Sequence, residues 1–547
     1  MSFLPAMRKI ANVALLLSAT TTGCQGAPLN AGYNLPDEVD GGGLCVPGAT
    51  APCYTGPAAT EGVGLCTRGT ATCNGDGMSF GPCQGDTTPQ PEDCATPVDE
   101  DCDGLAPQCT GGALWSKRFG DTNRQAGGSI ATDTAGSVLV TGLLFGSADF
   151  GGGPLVSAGS ADVFVAKFDG GGAHLWSRRF GDDSHQESLS IAVDASANVL
   201  IAGQFSGVLD FGGSPLASAA GATFVAKLDP NGEHLWSKQF ANQALTFQPP
   251  AIAFDPSGNV LILGSLQGMM DIDGNTLVSA GGTDVFLAKF DAASNHLWSK
   301  RFGDAAEQLS SDIAVDAVGN IAITGSFEGT LDFGESPLVS TGSADIFLAK
   351  LDAAGNSFWS KHFVSVFGSP MGTRLPVAAD DVGNIILSGP FAGDIDFGGA
   401  VLSSKGYTDI FLAKLNGAGN HIYSKRFGDA DNQQVRDVAV DGSGNVVLTG
   451  FFFGTLGFGG GQLASAGGSD GFVAKLGAGG DHLWSVRFGD VINDDGHGVA
   501  TDINGNNLLT GEFTGTVDFG NGPLVSEGSQ APPPPPAPDI FVAKFSP

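Results

Sequence analysis

The stretch Ala113–Phe119 reads ALWSKRF, and it is the first of seven copies of one segment. The others place their aromatic residue at Trp176, Trp236, Trp298, Trp359, Tyr423 and Trp484, at intervals of 60 to 64 residues, and every tryptophan of the chain stands at this position. Three further segments recur in step. One reads SIATD, SIAVD, AIAFD, DIAVD, PVAAD, DVAVD and GVATD; a second follows the form NVLIAG; a third reads DVFVAKF at Asp162–Phe168 and DIFVAKF at Asp539–Phe545. Each is four to seven residues long, rich in β-branched and aromatic side chains, and bounded by Gly, Asn or Asp, which is how short strands read. Four strands make one small sheet. Alone it would leave edges and apolar faces in water, so neighbouring sheets must cover it.

The order of the segments separates an open array from a ring. The seventh unit starts at Gly498 and ends with its third strand at Phe545, so it lacks its fourth. The spare copy, Ala113–Phe119, stands alone ahead of the first unit. An open solenoid has no use for this permutation and needs polar caps at both ends; a ring uses it to complete the last blade. The expected fold is therefore all-β, a seven-bladed β-propeller over 113–547 closed by its N-terminal strand, with an open β-solenoid or stacked sandwiches as the alternatives. IAVD at Ile313–Asp316, GNIAITG at Gly319–Gly325 and DVFLAKFD at Asp284–Asp291, running into NHLWSKRFG at Asn295–Gly303, resemble the hallmark segments of the seven-bladed β-propeller (SBBP) repeat family. The resemblance covers nearly all of 113–547 and implies a fold, with little about activity.

An extra unit lies between the second and third strands, as FEGTLDFGESPLVSTG at Phe327–Gly342 and its six equivalents, lengthened in the seventh by Pro532–Pro536. It reads as a hairpin emerging beside the blade-to-blade loops, on the face where a partner is expected.

The 547 residues carry 25 Lys and Arg against 57 Asp and Glu, a net charge of −32. Such a field repels a phosphate backbone, so nucleic acid is not an expected partner. Met1–Gly23 reads as an export signal: Arg8 and Lys9 precede the apolar run Ile10–Ala19, which is too short to span a bilayer. The signal ends in TTGC, and this resembles the lipobox of bacterial lipoproteins, whose cysteine, here Cys24, is acylated after cleavage. That family usually has an aliphatic residue where this chain has Thr21, so plain secretion is the alternative. Removing Cys24 leaves an even set, Cys45, Cys53, Cys66, Cys73, Cys83, Cys94, Cys102 and Cys109, all within 25–112. A segment with so little apolar content is expected to be held by four disulfides of unassigned pairing. Together these readings imply a cell-envelope protein, at the outer membrane or cell surface, touching the membrane through its lipid alone.

Near the end of that segment Asp99, Asp101 and Asp103 alternate before Gly104, the first half of a calcium loop. Position 12 is Thr110 where an EF-hand needs Glu, which excludes a full EF-hand. EDCATPVDEDCDG also resembles the Cys- and Asp-rich metal-binding-motif family of bacterial surface proteins, implying an ion site for Ca²⁺, with Cys94 and Cys102 in disulfides. An acidic solvated turn is the competing reading.

Other motifs point to the fold. DFG at Asp149, Asp210, Asp332, Asp396 and Asp518 is periodic and reads as a turn plus a core Phe. His174, His234, His296, His421 and His482 occupy one repeat position, so they stand on different blades. No catalytic constellation stands out, and no polar cluster breaking the repeat is visible. The expected function is a non-enzymatic binding or adhesion scaffold for a surface protein or polysaccharide. The alternative is a propeller enzyme acting on an extracellular polysaccharide, centred on the irregular joints Ala241–Pro250 and Val364–Pro376, where Arg374 is conspicuous. A weaker third reading is calcium-dependent assembly through residues 25–112.

Overall fold

The computed structural model describes residues 45–57, 60–89, 102, 111–240, 250–341, 344–364, 373–527 and 537–547. The segment read as an export signal, Met1–Gly23, and Cys24, Asp99, Asp101, Asp103, Cys94, Cys109 and Pro532–Pro536 lie outside the described residues. The described residues form two compact units, one built from residues 45–61 and 67–88, the other holding the repeat.

The small unit pairs Thr50–Cys53 with Gly69–Thr72 in an antiparallel hairpin. Its cystines join Cys45 to Cys73 and Cys53 to Cys83. A third disulfide joins Cys66 to Cys102. The pairing left open by the sequence is thus defined for six of the eight cysteines.

The repeat is a seven-bladed propeller, and the described residues contain no helix. Seven four-stranded antiparallel sheets follow one another, with inner strands Gln125–Thr132, Gln186–Val193, Ala251–Phe254, Gln308–Val315, Val377–Ala379, Gln433–Val440 and Asp495–Thr501. Blades 1 to 6 are continuous in sequence. Blade 7 runs Asp495–Thr501, Asn507–Phe513, Asp539–Phe545 and then Ala113–Phe119 as its outer strand. That last pairing is antiparallel, from Ala113 opposite Phe545 to Phe119 opposite Ile540. The spare segment therefore closes the ring, as its position in the sequence requires.

Burial explains why the second and third strands are apolar throughout. In blade 4 every residue of Ile321–Phe327 and Asp345–Leu351 is buried, because both faces of a blade pack on neighbouring blades. The core clusters accordingly span pairs of blades. Ala322, Ile346 and Leu348 of blade 4 pack with Leu387, Phe391 and Phe411 of blade 5. At the closure, Leu508, Ile540 and Val542 of blade 7 pack with Ile130, Val140 and Phe164 of blade 1. Full burial of one such side chain stabilises by about 1.5–3 kcal/mol, so the last interface is held like the others.

The recurring Asp of the first segment and Lys of the third, unremarked in the sequence, form a buried ion pair in every blade: Lys167–Asp133, Lys227–Asp194, Lys289–Asp255, Lys350–Asp316, Lys414–Asp380, Lys475–Asp441 and Lys544–Asp502. The ammonium also donates across to the next blade, as Lys289 does to Ala353 O at 3.0 Å and Lys544 to Gly170 O at 3.1 Å. The repeat tryptophan straps blades in the same direction: Trp115 donates to Gly170 O, Trp176 to Pro230 O and Trp359 to Gly417 O. Trp484 lacks this bond and its buried Nε1 has no partner among the described residues. Trp484 stands at the seam of the ring. Blade 7 takes its outer strand from the start of the repeat, so no continuous third-to-fourth-strand turn faces Trp484.

The extra unit forms a separate two-stranded sheet in five blades, for example Thr330–Leu331 with Leu338–Val339. In blades 2 and 3 it is instead an outward continuation of the long strands Val199–Leu209 with Leu216–Leu228 and Val260–Ile272 with Asn275–Phe290. Its start is bonded to the blade-to-blade loop by the Asp of the GD pair: Ser147 N to Asp121, Val208 N to Asp182 and Thr330 N to Asp304. Hairpins and blade-joining loops therefore share one face of the ring.

Candidate functional site

The innermost strand of each blade faces the bore, and equivalent residues come to one level: Ser129, Ser190, Ala251, Asp312, Pro376, Asp437 and Gly498. In blades 1 to 3 this lining is small or neutral. In blades 4 and 6 it carries Asp312 and Asp437, and beside it blades 5, 6 and 7 bring Arg374, Arg436 and His497. A cavity of about 90 Å³ is lined by Ser129, Ser190, Ser311, Asp312, Arg374, Arg436, Asp437 and His497. It is adjoined on the hairpin-bearing face by one of about 240 Å³, lined by Arg124, Leu143, Glu187, Leu189, Arg374, Arg436 and His497. The opposite mouth, about 540 Å³, is walled by the turns that carry Asp194, Asp255, Asp316 and Asp380, whose carboxylates are spent in the lysine pairs. The expectation that no polar cluster breaks the repeat is therefore corrected. These charges lie some sixty residues apart in sequence and meet only because a propeller brings all first strands to one axis.

Two of the acids do structural work. The Asp312 carboxylate accepts Ile313 N and, from the next blade, Val377 N, both at 2.8 Å. Asp437 repeats this with Val438 N at 2.8 Å and Val499 N at 2.9 Å. Each sits where the inner strand breaks register and staples it to its neighbour. Burial pushes Asp312 up to about 6, against those bonds and Arg374. Burial, with Asp312 as a second acid, pushes Asp437 up to about 7.

A second cluster sits nearer the mouth. Arg436 donates through Nε and Nη2 to one oxygen of Asp495, at 3.1 and 3.0 Å, with its guanidinium 4.9 Å from the Phe451 ring. His497 Nε2 lies 3.4 Å from the same oxygen, and its Nδ1 donates to Gly127 O of blade 1 at 2.9 Å. Burial works to lower the His497 pKa, but Asp495 outweighs it and raises it. Acceptors at both nitrogens favour the protonated ring. Burial likewise works to raise Asp495, and His497 and Arg436 hold it below the usual range. Its Oδ1 is buried without a partner among the described residues. At the rim Arg124 reaches Glu512 at 3.1 Å.

Arg374 stands apart. Every other described arginine is ion-paired, whereas Arg374 lines both cavities with no hydrogen bond or ion pair among the described residues. Burial and the neighbouring Arg436 lower its pKa, yet a guanidinium stays charged. It lies within one of the two irregular joints named from the sequence, Val364–Pro376. Residues 241–249 and 365–372 of those joints lie outside the described residues, and Pro250, Arg374 and Pro376 line the bore.

The repeated residues serve the fold. His174, His234, His421 and His482 each place Nε2 within 3.0–3.1 Å of a serine hydroxyl three residues on, and His296 bonds Asn275. Phe150, Phe211, Phe333, Phe397 and Phe519 of the DFG segments are buried, and the aspartates cap their own turns, as Asp149 does for Gly151 N. Among the described residues no group of His, Cys, Asp and Glu is arranged to hold a metal, and no helix is long and apolar enough to cross a membrane.

No family model matches the chain. A WD repeat-containing protein of Acanthamoeba polyphaga mimivirus, described as uncharacterized, is 21% identical over 502 residues, covering 73% of this chain and 36% of the relative. The regulatory protein FlaEY of Caulobacter vibrioides is 27% identical over 424 residues, covering 72% of this chain and 43% of its own. The chain thus spans less than half the length of either. Among solved structures, hydrazine synthase of Kuenenia stuttgartiensis covers 71% of this chain and 93% of its own at 10% identity, with a TM-score of 0.40, a level from which nothing about activity follows. The chain is a seven-bladed β-propeller with a WD-repeat-containing relative.

Proposed function

We propose that the protein is an exported binding scaffold of the SBBP-repeat kind, anchored in the cell envelope through a lipid on Cys24, that engages a surface polymer at the hairpin-bearing mouth of its bore. The observation that carries this reading is the asymmetry of the bore. Seven units repeat their structural residues faithfully, and the departure falls where Arg374, Arg436 and His497 face a cavity. Loops and hairpins on a rigid scaffold are where binding residues gather. The membrane and export parts rest on Met1–Cys24 alone.

A second reading, a propeller enzyme acting on extracellular polysaccharide, draws on Asp312 and Asp437, two acids pushed toward neutrality beside an arginine. Both are engaged as inter-blade staples, which favours the scaffold. The test uses the chain from residue 25 to 547 against envelope and extracellular polysaccharides, scoring retention and product formation together. Retention without turnover is expected. Product formation lost in Arg374→Ala or Asp437→Asn establishes the enzyme instead, and retention of no polymer ends the scaffold reading.

A further inference from the structure

We infer that the mouth of the bore is an oxyanion site, built to take the carboxylate or sulfate of an acidic sugar residue against Arg374; this rests on the scaffold reading and specifies its ligand. The chain carries a net charge of −32, and its described arginines are otherwise neutralised by neighbouring carboxylates. Arg374 alone makes no direct ion pair among the described residues, although Asp312, Asp437 and Asp495 act on it through space, and it stands in a half-buried position where a charge without a direct partner is costly. The adjoining segments 241–249 and 365–372 contain no Asp or Glu, so they bring no carboxylate of their own. Arg436 and His497 stand beside it, both directed at one oxygen of Asp495. The other acids lining the small cavity, Asp312 and Asp437, already accept backbone N–H groups. An external oxyanion entering this pocket would give Arg374 the direct partner it lacks among the described residues.

Shape and lining indicate what carries that oxyanion. The mouth holds about 240 Å³ and narrows to about 90 Å³, at the small end for ligand pockets and suited to one ring-sized residue. Its deeper wall presents the hydroxyl residues Ser129, Ser190 and Ser311 with glycine backbone and Leu189, and no aromatic side chain among the described residues. A guanidinium fork matches carboxylate and sulfate geometry with two parallel bonds.

The experiment is calorimetry on residues 25–547 with oligogalacturonate, a sulfated oligosaccharide, neutral dextran oligomers, poly-glutamate and sodium sulfate, repeated on Arg374→Ala and Arg374→Lys, each checked by circular dichroism. An acidic oligosaccharide is expected to bind. Arg374→Ala should weaken it by about 30-fold or more, as for a truncated charge pair, with Arg374→Lys in between. The two acidic sugars separate carboxylate from sulfate, and sodium sulfate should compete weakly. Equal binding of dextran, or an unchanged affinity in folded Arg374→Ala, overturns the oxyanion site while leaving the scaffold standing. Tighter binding of poly-glutamate than of either sugar overturns the sugar assignment. Binding of no polymer overturns both readings.

Discussion

Asp494 provides a quantitative test of how the repeat stabilises the blades. It occupies the position of Gln125, Gln186, Gln308 and Gln433, each fully buried, whose amide bonds the GD aspartate and a carbonyl of the second strand or the loop after it, as Gln308 does with Asp304 and Glu328 O, both at 2.9 Å. Asp494 is 1% exposed. Its oxygens accept Thr514 N and Asp490 N. Burial pushes it up to about 7, and the nearby Asp490 and Asp470 add to the rise. A carboxyl raised from 3.8 in this way binds more protons folded than unfolded. Its contribution is fully present below pH 3.8 and is lost as pH rises through 7. The shift corresponds to about 4 kcal/mol in full, of which about 3 kcal/mol falls between pH 4.5 and 8. Asp494→Gln removes the titration. Urea unfolding of both proteins at several pH values should show the variant gaining on the parent by about 3 kcal/mol from pH 4.5 to 8. A difference that stays constant with pH would refute the reasoning.

Other consequences can be measured alongside. Trp176→Phe removes the strap to Pro230 O and should destabilise by about 1 kcal/mol more than Trp484→Phe, whose indole N–H has no bond to lose; equal losses in melting experiments count against the strapping role. Lys167→Met leaves Asp133 buried and unpaired and should cost about 3–5 kcal/mol by urea unfolding, recovered in part by adding Asp133→Leu; a cost under about 1 kcal/mol would contradict the pair's burial. Calorimetry with Ca²⁺ on residues 25–547 should give heat that disappears in the triple variant Asp99→Asn, Asp101→Asn, Asp103→Asn, and its persistence ends the ion-site reading.

The fold was legible because a propeller writes itself periodically. Strand type, turn residues and the displaced segment at Ala113 are local or colinear features, and they defined the ring before any contact was known. The hairpin face was legible for the same reason, since the second-to-third-strand connection must leave the blade beside the loop entering the next. The bore was less so. Asp312, Arg374, Arg436, Asp495 and His497 read as scattered exceptions in a linear text. They become a cluster only when the first strands are written as one column and their shared axis is recognised. Such an alignment would have shown charge concentrated in blades 4 to 7, with Glu187 of blade 2 the exception. The lysine–aspartate pairs were missed because their partners sit on the first and third strands, where faithful repetition resembles simple surface charge.

The ring itself is tested most directly by a cross-link at its seam. Ser116 faces Ala543 across the pairing that closes blade 7, and the repeat contains no cysteine after Cys109. The double variant Ser116→Cys, Ala543→Cys, oxidised and mapped by mass spectrometry, should join these positions within one molecule and raise the melting temperature over its reduced form. Failure to form the bond under oxidising conditions, or its formation only between molecules, would contradict a closed propeller.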